Sequence, residues 1–511
     1  MSRNRSSTSR TSRVRLIALG AVVVFAAACS GTSTNQTRGS ITIAVSIDPR
    51  GLLPNGTVTQ ELYAPSQIVE KLVDFAPDGK SLVPRLATGW KQLDDTTLRF
   101  SLRQGVKFTN GEAFNATSAN YSMGLMLASQ TYAYIDYMIA GTQIVDDKTI
   151  DITTKYPSGL VLDALAIGSY QYPKAYFEKV GQSGFNTAPV GSGPYVFVNW
   201  TRGESITLKA NESYWGGAPS IKAVKFQVIT DSAAQVAALR SHQVDLVPGV
   251  PLGSFQTVEQ TPGVSLVTTS GNRVFGLMFS ERGNTPLRDV AVRKALLHAV
   301  DVKSLITNQM AGKATALQGQ LAGSNFVGFD SALQPFKYDP QQAKQGLAAA
   351  GYPNGLSLEF VYPNGRYPQD AELGQAISQQ LALAGVTAKQ RPLEGGAFLT
   401  ALNAGQFKDM YLAGYLVAPD AQILYQNVLA STSHPSYWSD PGFDAILNQA
   451  SRTVDPAQRA ALLKQATDFL YDQAPFVPLF AANDVYAISN RVHGFQPYNS
   501  QYLNIARLTV D

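Results

Sequence analysis

Cysteine is nearly absent: one in 511 residues, which excludes an internal disulfide and any thiolate-rich metal centre. Histidine is almost as scarce. His242, His298, His434 and His493 stand far apart, none at metal-ligand spacing and none in an H-E-x-x-H pattern. There is no G-x-S-x-G elbow and no G-x-x-x-x-G-K-[ST] phosphate loop. Gly191-Ser192-Gly193 precedes a strand rather than a helix and reads as a structural turn. The acid pairs Asp94-Asp95 and Asp146-Asp147 fall in turn-like stretches and read as solvated loops. Beyond residue 40 no repeat, charge block or Gly/Ser-rich linker breaks the chain. A protein of this size without nucleophile motif, metal cluster or cofactor fingerprint points to binding rather than catalysis, and neither cofactor nor metal is expected.

The net charge of +4 belongs to one end. Arg3, Arg5, Arg10, Arg13 and Arg15 are five of the 41 basic residues, and residues 1–28 hold no acid. The remainder sets 36 basic residues against 37 acidic ones, so there is no electrostatic drive toward nucleic acid. An uncharged run, Leu16–Ala28, follows the basic stretch and ends in Ala26-Ala27-Ala28. That is the pattern of an export signal, and it is shorter than the roughly 20 residues a spanning helix needs. Cys29 directly after it resembles a bacterial lipobox, which implies cleavage before Cys29 and its lipidation. Several acyl chains hold a soluble domain at a membrane where one does so only marginally. Residues 29–40 are then a polar tether on the outer face of the cell membrane.

Ordered structure is expected from Ser40. Ile41, Ile43, Val45 and Ile47 alternate with small or polar residues, as in a half-buried strand. Leu98, Phe100 and Leu102, then Val224, Phe226 and Val228, then Val274–Phe279 continue the strand signal. Helices are marked between them. Asp339-Pro340 and Asp455-Pro456 each offer an N-cap with proline at the first helical position, and Leu373, Ile377 and Leu381 mark another helix that Gly385 stops. Strands and helices mixed throughout predict an α/β protein with parallel or mixed sheets. At this length two or more lobes are expected.

Several segments carry a closer signal. Ile68–Phe114 contains Pro84-x-Leu86-Ala87-x-x-Trp90 and Arg103-x-Gly105-Val106-Lys107-Phe108-x-x-Gly111. Ala188–Leu246 contains Gly191-x-Gly193-Pro194-Tyr195 and Asn211-x-x-Tyr214-Trp215-Gly216. With Thr285–Ile306, Tyr338–Gly355 and Tyr437–Phe480 these resemble, in order, the peptide/nickel family of extracytoplasmic solute-binding proteins that serve ATP-driven importers. The resemblance implies a bilobed periplasmic-binding-protein-like α/β fold, large type, with an extra subdomain in lobe one and a hinge between lobes. Lobe one is expected over 41–270, lobe two over 271–478 and a return to lobe one over 479–511, with crossings near Thr268–Arg273 and Ala474–Ala482. It also implies a monomer with ABC permease subunits as partners, and no enzymatic activity.

The same resemblance suggests ligand contacts. Arg366 aligns with an arginine that dipeptide binders place on the ligand carboxylate, a task suited to a guanidinium fork; an exposed loop arginine is the competing reading. Tyr415 stands for a pocket tryptophan, with burial at a strand end as the alternative. Asp48 and Arg50, after the first strand, and Asn272 and Arg273, at the first crossing, are expected to face the cleft. The family's stretch W-x-x-D-x-x-D-P-D departs here to Gly414–Asp420, with no acid before Asp420, which joins the expected contacts. That departure argues against recognition of a free dipeptide N terminus. A peptide or similar polar solute is the expected ligand. An oligosaccharide, opine or metal chelate, or an extracytoplasmic hydrolase activity, are the other readings.

Overall fold

Two long strands, Val264–Phe279 and Phe476–Ser489, run antiparallel to each other and tie the molecule together. The computed structural model describes residues 39–54, 59–129, 138–498 and 502–511; the expected signal, Cys29 and nearly all of the tether lie outside them. On one side of the long pair the sheet continues through Met410–Leu416, Leu356–Asn364 and Val386–Glu394. On the other it continues through Leu246–Pro248, Ser40–Val45, Ala223–Val228, Ser205–Ala210 and Tyr195–Thr201. The short strand Ala314–Ala316 adds to Phe476–Ser489, making eleven strands of mixed direction, as the pattern predicted.

Each half of this sheet has its own core on both faces, which makes the fold bilobed. In the second half, Phe275, Leu277, Leu358 and Phe360 face one cluster, and Val274, Met278, Tyr411 and Ala413 face another. In the first half, Ile41, Ile43, Val224 and Phe226 pack on one face, with Ala44, Val247 and Ala487 on the other. This is the alternation expected of strands covered on both sides. A separate antiparallel sheet, Ala87–Asp94, Thr97–Leu102, Thr149–Thr154 and Ile139–Asp146, encloses a fifth core with helices Ala116–Leu127 and Val161–Gly168. Leu86 is fully buried there, whereas Trp90 is only half-buried because its strand presents one face to solvent. Gly105 and Gly111 adopt positive φ as turns, and an isolated antiparallel bridge joins Lys107 to Ala113.

The sequence motifs are packing devices. A Cβ on Gly191 would lie 1.9 Å from the carbonyl oxygen of Ile68, and one on Gly193 would lie 2.5 Å from that of Gln67. Glu70, buried beneath, accepts hydrogen bonds from Ser192 Oγ (2.9 Å), Tyr214 Oη (2.8 Å) and Trp215 Nε1 (2.8 Å). One carboxylate thus gathers both glycine- and tryptophan-bearing loops. Gly191→Ala is therefore expected to cost about 1–3 kcal/mol through overpacking against backbone, read as a lower urea midpoint with unchanged slope.

The expected helix caps are present: Asp339 accepts from the Gln342 N–H (2.9 Å) and Asp455 from the Gln458 N–H (2.8 Å). His298 lies just past helix Val290–Leu296, its Nδ1 2.8 Å from the Lys337 carbonyl oxygen.

The register of the two long strands shifts at two places, once by a single residue between Phe275 and Gly276 and more widely near the first crossing. Thr269 faces Asp484 and Arg273 faces Ala482, so three residues on one strand oppose one on the other. Within this bulge a Cβ on Gly271 would meet the Ala482 carbonyl oxygen at 2.2 Å. Only glycine permits the strands to approach so closely there.

Candidate functional site

A cavity of about 760 Å³ opens between helix Val161–Gly168 with its preceding loop and two helices of the second lobe, Ala421–Val428 and Pro441–Arg452. Its size falls within the usual range for small-molecule sites. The first lobe supplies Met138, Leu160, Ala164 and Ile167, with the hydroxyl-bearing Tyr156 and Ser158 beside them. The second supplies the strand end Leu416–Ala418 and a set of amides, Gln422, Gln426, Asn427 and Asn448. Arg452 is the only charged residue in the wall among the described residues.

One buried network sets the orientation of that polar wall. Arg459 and Asp420 are both almost fully buried, and Arg459 Nη1 lies 2.8 Å from Asp420 Oδ2. Arg459 Nη2 donates to Asp420 Oδ1 at 2.9 Å, and the same oxygen caps the next helix by accepting from the Gln422 N–H at 2.8 Å. Arg459 also donates twice to Gln422 Oε1, from Nε at 3.0 Å and Nη2 at 2.9 Å. Since a guanidinium only donates, it fixes the Gln422 amide with oxygen inward. From the first lobe, Gly159 packs so tightly that a Cβ would lie 2.3 Å from Arg459 Cδ.

Asp163, also from the first lobe, faces the same network. Burial pushes its carboxyl up to about 7; the Asp420 charge adds to the rise and Arg459 opposes it. A carboxyl raised in the folded state lends stability at low pH that is lost as pH rises through the folded value. The thermal midpoint is therefore expected to fall between pH 4 and pH 7.5 by an amount that Asp163→Asn abolishes, which a scan of both proteins over that interval measures.

A second constellation stands beside the cavity. Arg273 is the ladder partner of Leu416, and its guanidinium lies 5.4 Å from the Tyr367 ring. The Arg366 guanidinium lies 5.1 Å from the same ring, with Nε donating to Tyr367 Oη at 3.0 Å. Tyr367 is held by its own donation to the Gly414 carbonyl oxygen at 2.9 Å. Burial lowers the Arg273 guanidinium below its ordinary value and the like charge of Arg366 adds to this, with Tyr367 and Asp484 acting against it. Neither arginine has an acidic side chain within 4.0 Å among the described residues. Two cations on one tyrosine ring favour negative charge nearby.

The remaining expected contacts are disposed differently. Tyr415 is half-buried against the second-lobe core, its hydroxyl 3.5 Å from that of Tyr411. Asp420 is committed to Arg459 and to its helix cap. Asp48 accepts from Trp200 Nε1 at 2.8 Å and from the Gly203 N–H at 3.0 Å, so it braces a hairpin. Arg50 is paired with Glu61 at 3.0 Å on an exposed surface. Asn272 is buried in the bulge, accepting from Asn325 Nδ2 at 2.7 Å. Of the expected residues, then, the structure brings together only Arg273 and Arg366; the cavity wall itself is built from the neighbours of Tyr415 and Asp420. Gln422, Arg459 and Asp163 carried no motif. The one available signal was Arg459 standing in the stripe Arg459, Leu463, Ala466, Leu470, where an apolar side chain belongs.

Two lobes that share one sheet and wall a cavity between them define a protein that encloses a small solute. The chain belongs to the bacterial extracellular solute-binding proteins, family 5, whose middle region it matches over residues 81–436. Heme-binding protein A of Haemophilus influenzae is 27% identical over 482 residues, 88% of each chain. Glutathione-binding protein GsiB of Shigella dysenteriae serotype 1 is 26% identical over 503 residues, 94% of this chain and 96% of that one. HbpA2 from Haemophilus parasuis superposes with a TM-score of 0.84 at 23% identity, over 92% of this chain and all of that one (100%).

Proposed function

We propose that the protein captures a peptide or similarly sized polar solute between its lobes and delivers it to the permease of an ABC importer, performing no chemistry on it. The observation that carries this reading is the Arg273–Arg366 couple, with no acidic side chain within 4.0 Å among the described residues, at the strand end that also walls the interlobe cavity. It provides an anchor for a ligand carboxylate beside a space for the rest of the solute. A relative named for binding glutathione supports a carboxylate-bearing ligand of this size.

The proposed hinge is the bulge between Thr269 and Arg273, with lobe one over 41–270 and 479–511 and lobe two over 271–478. Ligand binding then favours the closed arrangement, in which Gly159 and Asp163 seat on Arg459. Lipidation at Cys29 would hold the protein on the outer membrane face, as a monomer facing its permease. Native mass spectrometry of the purified protein tests the reading. One released peptide-sized acid per chain is the expected result, and turnover of a peptide panel by the protein would overturn it.

A further inference from the structure

The cavity walls differ in chemistry, and the difference specifies the solute further. Leu160 and Ile167 of the first lobe offer hydrocarbon, with Tyr156 and Ser158 the polar groups on that side. Across from them two helices each direct a pair of residues one turn apart into the space: Gln422 and Gln426 from Ala421–Val428, Asn448 and Arg452 from Pro441–Arg452. Residues four apart share a helix face. The side chains of Gln426, Asn448 and Arg452 make no hydrogen bond or ion pair among the described residues. Gln422 is fully buried, and Arg459 occupies its amide oxygen, which leaves Nε2 as a buried donor with no partner. A buried donor left unmade costs about 1–3 kcal/mol, so a fixed, unused N–H at a cavity wall calls for an acceptor from outside the protein. No carboxylate lines the cavity among the described residues, and Arg452 is the one charged side chain in its wall there. A cationic amine would meet amides, hydroxyls and a guanidinium but no carboxylate to balance its charge.

We infer that the cavity takes an amphipathic, N-blocked, peptide-like acid of the N-acyl peptide class, its acyl portion against Leu160 and Ile167 and a carbonyl oxygen accepting from Gln422 Nε2. This rests on the reading of the cavity as the capture site.

Isothermal titration of the full chain with two probes tests it: hexanoyl-Ala-Ala, which has a blocked nitrogen and a free carboxylate, and tetra-alanine, which has a free ammonium. Hexanoyl-Ala-Ala is expected to bind at least tenfold more tightly. Gln422→Glu retains the acceptor for Arg459 but removes the donor, and is expected to weaken hexanoyl-Ala-Ala at least tenfold. Arg452→Glu, on an exposed rim where folding does not depend on it, is expected to narrow the gap between the probes at least fivefold by supplying an anion for the ammonium. Tetra-alanine binding as tightly as hexanoyl-Ala-Ala would overturn the inference and leave peptide capture standing. Unchanged affinity in Gln422→Glu would also overturn it. Binding of neither probe would overturn both the inference and the peptide reading.

Discussion

Arg459→Met is expected to lower the unfolding free energy by about 3–5 kcal/mol, because it strands a buried acid. The reason is what stays behind. Asp420, with 2% of its surface exposed, would be left with one backbone N–H and no cation, and Gln422 Oε1 would lose both of its donors. Methionine matches the hydrocarbon stem of arginine, so the loss reports the charge and its hydrogen bonds rather than a void. Urea denaturation of the two proteins measures it. The double replacement Arg459→Met with Asp420→Asn, which removes the stranded charge, is expected to recover part of the loss, as the coupling between contacting residues requires. Equal loss in single and double variants would show that packing alone accounts for it.

The second large effect falls on binding rather than folding. The double variant Arg273→Ala, Arg366→Ala is expected to weaken a carboxylate-bearing ligand by about 2–5 kcal/mol, roughly thirtyfold to several thousandfold. Stability is expected to hold or rise, because two neighbouring cations without an acid partner within 4.0 Å among the described residues repel each other in the empty protein. A mutant that loses affinity while its thermal midpoint holds separates recognition from structure. A midpoint that falls by several degrees would assign the pair a structural role instead. Titration with one ligand and its C-terminal amide completes the test, since only the acid should respond to the arginines.

The secondary structure was legible because its signals are local. The alternation in Ile41–Val45 and the Asp-Pro caps at 339 and 455 need no more than a few residues of context, and each appears where the pattern put it. The glycine motifs were legible as turns, but their purpose was not. Gly191 is glycine because of a carbonyl on Ile68, 123 positions away. The partners of the expected site residues were hidden for the same reason on a larger scale. Asp48 looks like a free acid after a strand until Trp200, 152 positions on, takes one of its oxygens. Arg273 and Arg366 come together through Tyr367, which no pattern marked. The orientation of the Gln422 amide is set by Arg459, 37 positions away on another helix. Residue type and periodicity report which face of an element is buried, not which polar partner it meets there.

Arg273 and Ala482 face each other across the two long strands. The chain between them therefore leaves the first lobe and returns to it through neighbouring positions in one ladder. Seen as an insertion, the whole second lobe has its ends already side by side. A relative's second lobe spliced between these two positions would inherit the same entry and exit geometry, so the polar half of the cavity wall can be exchanged as a cassette while the first lobe is kept.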